Sequence, residues 1–343
     1  MTSPLNFAII GCGRIGKLHA ENFTRHIGSA RLAAVADVNL DAAREVARGF
    51  NVPQARADYR ELLADSSIDA VAICSATNTH ARMIQEAAAA GKHIFCEKPI
   101  DLDLGRIQHA LDAVTKAGMK LQVGFNRRFD PSFAKVRELV ASGKIGQPHI
   151  IRITSRDPAP PPIEYLRGSG GIFLDMTIHD FDMVRFLSGS EAEEIYAVGG
   201  ALIDPEIGRA GDVDTAIVTM RLKSGALATI DNSRKAVYGY DQRVEVFGST
   251  GLAMVSNRTP DNHILVNTDG VHSATPQYFF LERYQESYVA EMQEFVDCLL
   301  HDKEPSISGK DGLIPVTMGL AATKSLKERR PVKMSEIAAD NVF

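Results

Sequence analysis

The most chemically suggestive stretch of this sequence is residues 11–16, which have the spacing G-x-G-x-x-G and directly follow the short apolar run 7–10. A pyrophosphate needs backbone amides at close range. Gly11 would allow the tight turn, Gly13 the approach of the phosphates, and Gly16 the packing of a helix on a strand. The helix that follows would point its positive N-terminal end at the anion. The spacing therefore predicts a dinucleotide-binding unit.

Asp37 strengthens this interpretation, because it ends a second apolar run, 32–36, about 20 residues beyond the glycines. A carboxylate there can accept hydrogen bonds from the adenosine ribose hydroxyls and repel a 2'-phosphate. The other interpretation of Asp37 is an ordinary turn residue at a strand end. We expect NAD to be preferred over NADP.

A second constellation lies in residues 170–182, where Asp175, His179 and Asp182 are separated by four and three positions. If 173–187 is one helix, these side chains share one face, with two carboxylates beside an imidazole. A solvated helix face would give the same pattern. A histidine beside a carboxylate can take a proton near neutral pH, as the oxidation of an alcohol to a ketone requires. No third strong ligand is in phase, so we predict no metal.

Lys98 precedes Pro99, which restricts its backbone and would hold the ammonium in a fixed direction. A lysine there could donate to a substrate hydroxyl and favour the negative charge that develops on its oxygen, although a loop lysine is usually only solvated. Two further polar loops, 75–80 and 126–128, also follow predicted strands. The first could line the pyrophosphate and the nicotinamide ribose, with Asn78 or Thr79 also capping the next helix.

The order of predicted elements changes near Asn126. Before it, strands and helices alternate, which predicts a doubly wound parallel sheet with helices on both faces, an α/β Rossmann domain at 1–125. After it, alternating runs predict a mainly antiparallel sheet in an α+β domain at 126–343, with one short hairpin connection, Lys223-Ser224-Gly225. The expected strands are 70–74, 93–96, 120–125, 149–154, 215–222, 226–231 and 243–247, and the expected helices are 41–47, 59–63, 79–90, 103–117, 131–142, 173–187, 284–300 and 309–328.

The composition is that of an ordinary soluble globular protein: 343 residues with a formal net charge of −5 and no long Lys/Arg run. We therefore expect a small-molecule partner rather than nucleic acid or an anionic membrane. No apolar run approaches the roughly 18 residues that cross a bilayer, and the first residues lack the features of a secretory signal. The four cysteines are scattered without C-x-x-C spacing. We expect reduced thiols and a cytoplasmic protein.

Taken together, the glycine motif, Glu97-Lys98-Pro99 and the segment 175–182 resemble the glucose–fructose oxidoreductase and inositol dehydrogenase family. Within it, the segments 156–158, 170–187 and 238–241 are most similar to inositol 2-dehydrogenases. The resemblance spans nearly the whole chain. It implies a Rossmann domain, a C-terminal domain on an open, mainly antiparallel sheet that often mediates tetramers, a substrate cleft between the domains, and a homotetramer.

The resemblance also implies roles for individual residues. Lys98, Asp175 and His179 would form the catalytic triad: the histidine accepts the proton, the aspartate orients and charges it, and the lysine contacts the reacting hydroxyl and the nicotinamide ribose. Substrate hydroxyls would contact these three and Asn126, Arg127, Asp182 and Tyr238. The expected NAD contacts are Gly11, Gly13, Arg14, Ile15, Gly16, Asp37, Val38, Ser75, Asn78, His80, Glu97 and Lys98.

The leading hypothesis is an NAD-dependent dehydrogenase that oxidises one secondary hydroxyl of an inositol, giving 2-keto-myo-inositol (scyllo-inosose) from myo-inositol. Relatives acting on scyllo-inositol or on C1 of a monosaccharide remain open. A second class is a glycoside hydrolase in which bound NAD oxidises the sugar transiently. A third is a non-catalytic NAD-sensing module, against which the proton-transfer residues argue.

Overall fold

The computed structural model describes residues 4–340, with side chains described as far as residue 337. Its chain forms two compact units. Within the described residues, the first comprises 4–126 and 286–316, and the second comprises 127–285 and 317–340. The first division lies next to the predicted 125/126 boundary. The segment 286–316 differs from the prediction, which had placed it in the second domain.

The segment 286–316 belongs to the first unit because its apolar side chains lie in the core of that unit. Met292, Phe295 and Val296 are fully buried in the same cluster as Phe7 and Phe95. The rings of Phe7 and Phe295 have centroids 6.0 Å apart in an edge-on arrangement. Because a sheet face must be covered by apolar side chains, this late helix completes a layer that the first 125 residues leave open.

A six-stranded, wholly parallel sheet forms the centre of the first unit, in the order β3-β2-β1-β4-β5-β6. All four residues of β4 are buried, as expected for a strand covered on both faces. The strand order reverses between β1 and β4, which is where ligands bind in such sheets. The strands are β1 Leu5–Ile10, β2 Ala30–Ala36, β3 Gln54–Arg56, β4 Ala70–Ile73, β5 His93–Glu97 and β6 Leu121–Gly124.

Several helices of this unit begin and end at recognisable capping residues. Asn39 and Asp103 accept amide hydrogen bonds at the starts of α2 and α5, and α5 ends at Gly118 with a φ of 67°. The capping predicted for α4 was wrong: its N-cap is Ala76, without a side-chain bond, and the Thr79 hydroxyl donates to the Ala76 carbonyl at 2.6 Å. The helices are α1 Arg14–Arg25, α2 Leu40–Phe50, α3 Arg60–Ala64, α4 Thr77–Ala89, α5 Leu104–Ala117 and α12 Gln285–Leu300.

The second unit contains a seven-stranded sheet in the order β12-β11-β7-β10-β9-β8-β15. All its pairs are antiparallel except β7 with β10, so the prediction of a mainly antiparallel sheet is confirmed. The predicted connection 223–225 joins β9 to β10. The strands are β7 Pro148–Arg156, β8 Ala192–Gly200, β9 Thr215–Leu222, β10 Leu227–Ser233, β11 Asp241–Gly248, β12 Leu252–Val255 and β15 Val332–Lys333, with a separate hairpin of β13 Ile264–Asn267 and β14 Gly270–Ser273.

The single helix predicted for 173–187 was wrong, because the chain forms two helices there. Met176, with φ −100° and ψ −59°, separates α8 from α9. The helices and 3₁₀ turn are η1 Asn126–Phe129, α6 Pro131–Ala141, α7 Ile163–Ser169, α8 Gly171–Asp175, α9 Thr177–Ser188, α10 Pro205–Arg209, α11 Phe280–Arg283, α13 Gly309–Glu328 and α14 Met334–Asp340. Within residues 4–340, no helix is both long and apolar enough to cross a bilayer.

Candidate functional site

The glycine loop joins β1 to α1, and its three glycines serve different purposes. Gly11 has a φ of 100°, and a Cβ there would lie 2.7 Å from backbone atoms of Cys74 and Ser75. A Cβ on Gly16 would lie 1.9 Å from the Gly11 carbonyl oxygen, whereas one on Gly13 would meet nothing within 4 Å. Gly11 and Gly16 therefore permit packing inside the protein, and Gly13 borders open space at the start of α1, beside the positive end of that helix.

Asp37 is fixed beside this loop by backbone amides. Its carboxylate accepts a hydrogen bond from the Cys12 N–H at 2.8 Å on one oxygen and from the Asn39 N–H at 2.8 Å on the other. Burial and this carboxylate raise the pKa of the Cys12 thiol to about 12. Val38, next along the chain, is 94% exposed. A carboxylate held in place at the end of β2 suits the ribose hydroxyls of NAD.

The loops after β4 and β5 are tied together by His80. This residue is buried, and its ring nitrogens lie 2.8 Å from the Pro99 carbonyl oxygen and 3.0 Å from the Ser75 carbonyl oxygen. Burial lowers the pKa of His80 and so favours the neutral ring. Asn78 is exposed and Lys98 is partly buried. His80 thus supports the loop that carries Lys98 through backbone contacts, a role that its sequence position alone did not indicate.

Glu97 takes part in a buried polar cluster with His19 and Glu291. Its carboxylate lies 2.9 Å from Nε2 of His19. The ligating atoms of the three side chains all lie within 4.8 Å of one another, a set that could hold a metal ion. Within the described part of the chain, neither carboxylate oxygen of the fully buried Glu291 has a hydrogen-bond partner. Burial, and secondarily Glu97, raise the pKa of Glu291 well above its ordinary value, which favours its protonated form.

In the second unit, Asp175 is the last residue of α8, and His179 lies in the first turn of α9. The Tyr165 hydroxyl donates to one oxygen of Asp175 at 2.8 Å, and the Arg234 guanidinium donates to the other at 3.1 Å. The shared face of one continuous helix, predicted for Asp175 and His179, was wrong because Met176 interrupts the helix. Tyr165 and Arg234 were not identified from the sequence as part of the site.

Arg127 is hydrogen-bonded within a buried network of polar side chains. Its guanidinium donates to Asp180 at 2.6 Å and to the Tyr240 hydroxyl at 3.3 Å. The amide of Asn232 donates to the other oxygen of Asp180 at 2.9 Å. Burial raises the pKa of Asp180, against the opposing effect of Arg127. Asp180 was not singled out from the sequence, and its position directly after His179 was the one available signal.

The other predicted substrate contacts have partners within the second unit or lie at its sequence boundary. Asp182 is buried and accepts from Nε of Arg128 at 2.8 Å, so its carboxylate is paired rather than solvated. Tyr238 is 42% exposed, and its hydroxyl donates to Asp241 at 2.6 Å. Asn126 is buried just after β6. The structure thus gives Asp182 and Tyr238 charged neighbours that would orient them.

Asp157, on the loop that follows β7, is a titratable group that was not assigned a role from the sequence. Burial raises its pKa to about 6; Arg234 opposes this shift, and Asp175 adds to it. Its backbone N–H donates to Ser233 at 2.9 Å, which holds the loop against the end of β10. A carboxyl group with this pKa changes its charge within the range in which a histidine also titrates.

Comparison with family profiles covers both units. Residues 5–125 match an oxidoreductase family with an NAD-binding Rossmann fold, and residues 133–254 match the GFO/IDH/MocA C-terminal domain. The NAD-binding Rossmann assignment agrees with the glycine loop and with Asp37.

Comparison with individual proteins finds relatives along nearly the whole chain. Myo-inositol 2-dehydrogenase of Thermotoga maritima is 50% identical, over 97% of this chain and 99% of that protein. Inositol 2-dehydrogenase of Rhizobium meliloti is 45% identical, over 96% and 99%. The crystal structure of scyllo-inositol dehydrogenase from Lactobacillus casei, with bound NAD(H) and scyllo-inositol, has a TM-score of 0.91 at 32% identity and covers 97% of this chain and 99% of that one.

Proposed function

This chain belongs to the GFO/IDH/MocA family of oxidoreductases, and from that membership we propose that it oxidises the C2 hydroxyl of myo-inositol to a ketone with NAD. The observation that carries the proposal is the identity of 50% to a myo-inositol 2-dehydrogenase over nearly all of both chains. The product is 2-keto-myo-inositol. At this identity the fold and the reaction type are shared, whereas the preferred stereoisomer depends on individual pocket residues.

Bound NAD would supply the hydride acceptor that this oxidation requires. The residues that we propose to hold it are in the first unit. The open space beside Gly13 and the fixed carboxylate of Asp37 support this assignment, as described above. The remaining proposed contacts are Gly11, Arg14, Ile15, Gly16, Val38, Ser75, Asn78, His80, Glu97 and Lys98.

The proton of the oxidised hydroxyl must go to a base, and we propose His179 for this role. Asp175 would orient and charge-stabilise the imidazole, and Lys98 would donate to the reacting oxygen as negative charge develops on it. The contacts of Tyr165 and Arg234 with Asp175 support this assignment, because an orienting carboxylate must itself be fixed.

For the remaining hydroxyls of the ring we propose Asn126, Arg127, Asp182 and Tyr238. An inositol presents a hydroxyl on every carbon, so amide, guanidinium, carboxylate and phenol groups all suit it. The pairs Arg127–Asp180 and Arg128–Asp182 would set the direction of these groups before substrate arrives.

We propose further that the protein is a homotetramer built through the seven-stranded sheet. Helices α6 and α9 pack on one face of this sheet. The other face carries exposed apolar side chains, including the cross-strand pairs Val198–Ile217 and Phe247–Leu252. Exposed apolar side chains on a sheet face are typical of an interface between copies. Changing Ile217 to Asp should lower the mass measured by light scattering; an unchanged mass would contradict this interface.

The four cysteines are free, which supports a reducing compartment, and we propose the cytoplasm, with a role in inositol catabolism. A redox-sensitive reporter fused to the protein would test the compartment.

The function is tested with the purified full chain, NAD or NADP, and a panel of myo-inositol, scyllo-inositol, D-chiro-inositol, glucose and xylose. We expect NADH to form fastest from myo-inositol with NAD, with scyllo-inosose as the product. Faster turnover of another member would change the proposed substrate, while the proposed type of reaction would stand. No turnover of any member would contradict the proposal, and release of sugar from a separately added glycoside without net NADH would then favour NAD-assisted hydrolysis.

A further inference from the structure

Arg234 is a fully buried arginine that lies directly after β10 in the second unit. Only 1% of it is exposed, and its backbone N–H donates to the Asp214 carbonyl at 2.8 Å. Its guanidinium donates to Asp175 at 3.1 Å and lies 3.8 Å from a carboxylate oxygen of Asp212. A buried charge of this kind is costly unless its partners are fixed around it. Its position therefore depends on these carboxylates, and theirs depends on it.

The second partner, Asp212, is attached to the beginning of the same short helix that ends in Asp175. The backbone N–H of Ile172 donates to Asp212 at 3.0 Å. A Cβ on Gly171 would lie 2.7 Å from the same oxygen, so the helix start lies directly against this carboxylate. Helix α8 has only five residues, too few to be stable by itself. Arg234, which directly follows β10, therefore holds one end of α8, and Asp212, in the loop before β9, holds the other.

Arg234 has a second effect, which is on the pKa of the nearby Asp157 carboxyl group. Arg234 opposes the burial that raises the pKa of Asp157, whereas Asp175 adds to that rise. The groups that face Asp157 are Arg234, Asp175, Arg127 and Asp180, and Tyr165 faces Asp175 from α7. Without Arg234, the repulsion between the Asp175 and Asp157 carboxylates would be offset by one fewer nearby cation.

We propose that Arg234 is a positioning residue for the oxidation. It holds the Asp175 carboxylate, at the end of α8, in the orientation that supports the proton acceptor. The inference rests on the proposed catalytic role of Asp175. Arg234 touches neither substrate nor cofactor in this scheme and acts only through Asp175. Tyr165 is the second, uncharged support of the same carboxylate.

The test is a double-mutant cycle between Arg234→Met and Asp175→Asn in the full chain, with Arg234→Lys, Tyr165→Phe and the exposed-site control Arg209→Met alongside. We expect Arg234→Met to lower kcat on the order of 100-fold, the cost of a small misplacement of a catalytic group, with KM changed less than about threefold. Arg234→Lys should regain about tenfold of this loss, because it keeps the charge but not the fork. In the Asp175→Asn background, Arg234→Met should add less than about threefold.

Several results would overturn the inference while leaving the proposed function intact. One is a folded Arg234→Met enzyme with normal kcat alongside an inactive Asp175→Asn enzyme. Another is a pair of effects that multiply in full in the double variant. If Arg234→Met does not fold, the cycle is run with Arg234→Lys, and a multiplicative result there counts against the inference equally. If Asp175→Asn itself retains normal turnover, the proposed function of Asp175 fails, and the inference about Arg234 fails with it.

Discussion

The glycine loop of the first unit and the charged network of the second unit are built by different physical means. The loop consists of backbone: Gly11 and Gly16 are required because a Cβ at either would collide with backbone atoms. The network consists of buried side chains, in which the guanidinium groups of Arg127, Arg128 and Arg234 each contact an aspartate. The glycine loop is therefore sensitive to an added methyl group, because the backbone leaves no space for it. The network is instead sensitive to the loss of one charged side chain, which would leave its partner buried and unpaired.

The largest expected effect tests the second unit alone. His179→Ala removes the proposed proton acceptor, and we expect kcat to fall by about a thousandfold, within the usual range for a general base. NAD affinity, which we assign to the first unit, should stay within about twofold, as measured by fluorescence titration. The control is His149→Ala, at an exposed position on β7. A folded His179→Ala enzyme with near-normal turnover would show that another group accepts the proton.

A pair of glycine variants tests whether the loop of the first unit depends on backbone space. The Cβ of Gly16→Ala would lie 1.9 Å from the Gly11 carbonyl oxygen, so α1 must shift away from β1. We expect NAD affinity to fall on the order of 100-fold, with a lower Tm. Gly13→Ala meets no atom within 4 Å, so its Tm should be unchanged while NAD affinity falls about tenfold.

Calorimetry and NAD titration of both glycine variants measure these effects, with Gly28→Ala as the control, since it too has open space around it. The interpretation would be refuted by a destabilised Gly13→Ala protein beside a normal Gly16→Ala protein.

Asp37 combines the two kinds of construction, because its side chain is hydrogen-bonded to a backbone amide of the glycine loop. Asp37→Ser removes the acceptor of the Cys12 and Asn39 amides and the negative charge that repels a 2'-phosphate. We expect the ratio of kcat/KM for NAD to that for NADP to fall by about 10- to 100-fold, chiefly through weaker NAD binding. Steady-state assays with both cofactors measure it, with the exposed Asp41→Ser as the control. An unchanged ratio would remove Asp37 from cofactor selection.

The smallest expected effect concerns Glu291, a buried carboxyl group in the first unit. Its pKa is raised in the folded protein, whereas an unfolded glutamate titrates near about 4.3. The folded state therefore binds the proton more tightly, and the stability of the protein falls as pH rises above that unfolded value. Glu291→Gln keeps the shape without the ionisation. We expect its Tm to exceed that of the natural protein by about 3–5 °C at neutral pH, with the difference vanishing at acidic pH.

Thermal unfolding from acidic to neutral pH measures this difference, and the exposed Glu286→Gln on the same helix is the control. A Tm difference that is the same at every pH would mean that ionisation of Glu291 does not limit stability.

The sequence predictions were more accurate for the first unit than for the second, because local patterns record backbone conformation better than they record tertiary contacts. The glycine spacing, Asp37 and the alternation of strands and helices correctly indicated the fold of the first unit and its NAD-binding type. The strand 215–222 and its hairpin connection were also correct. These features depend on backbone conformation and burial over short stretches, which residue order records directly. The interruption at Met176 was missed, because the apolar pattern runs on through it.

The sequence by itself determined the fold class and the cofactor type, since each depends on local spacing or on similarity to relatives, and it supplied the site residues that we propose. Only the tertiary structure decided how those residues are supported. Arg234 and Asp175 are 59 positions apart, and Arg127 and Asp180 are 53 apart. Helix α9 packs against β7 and β10, and tertiary packing of this kind brings side chains from distant parts of the chain into contact. Packing of this kind minimises the cost of buried charge over the whole unit, and no local pattern of residues records it.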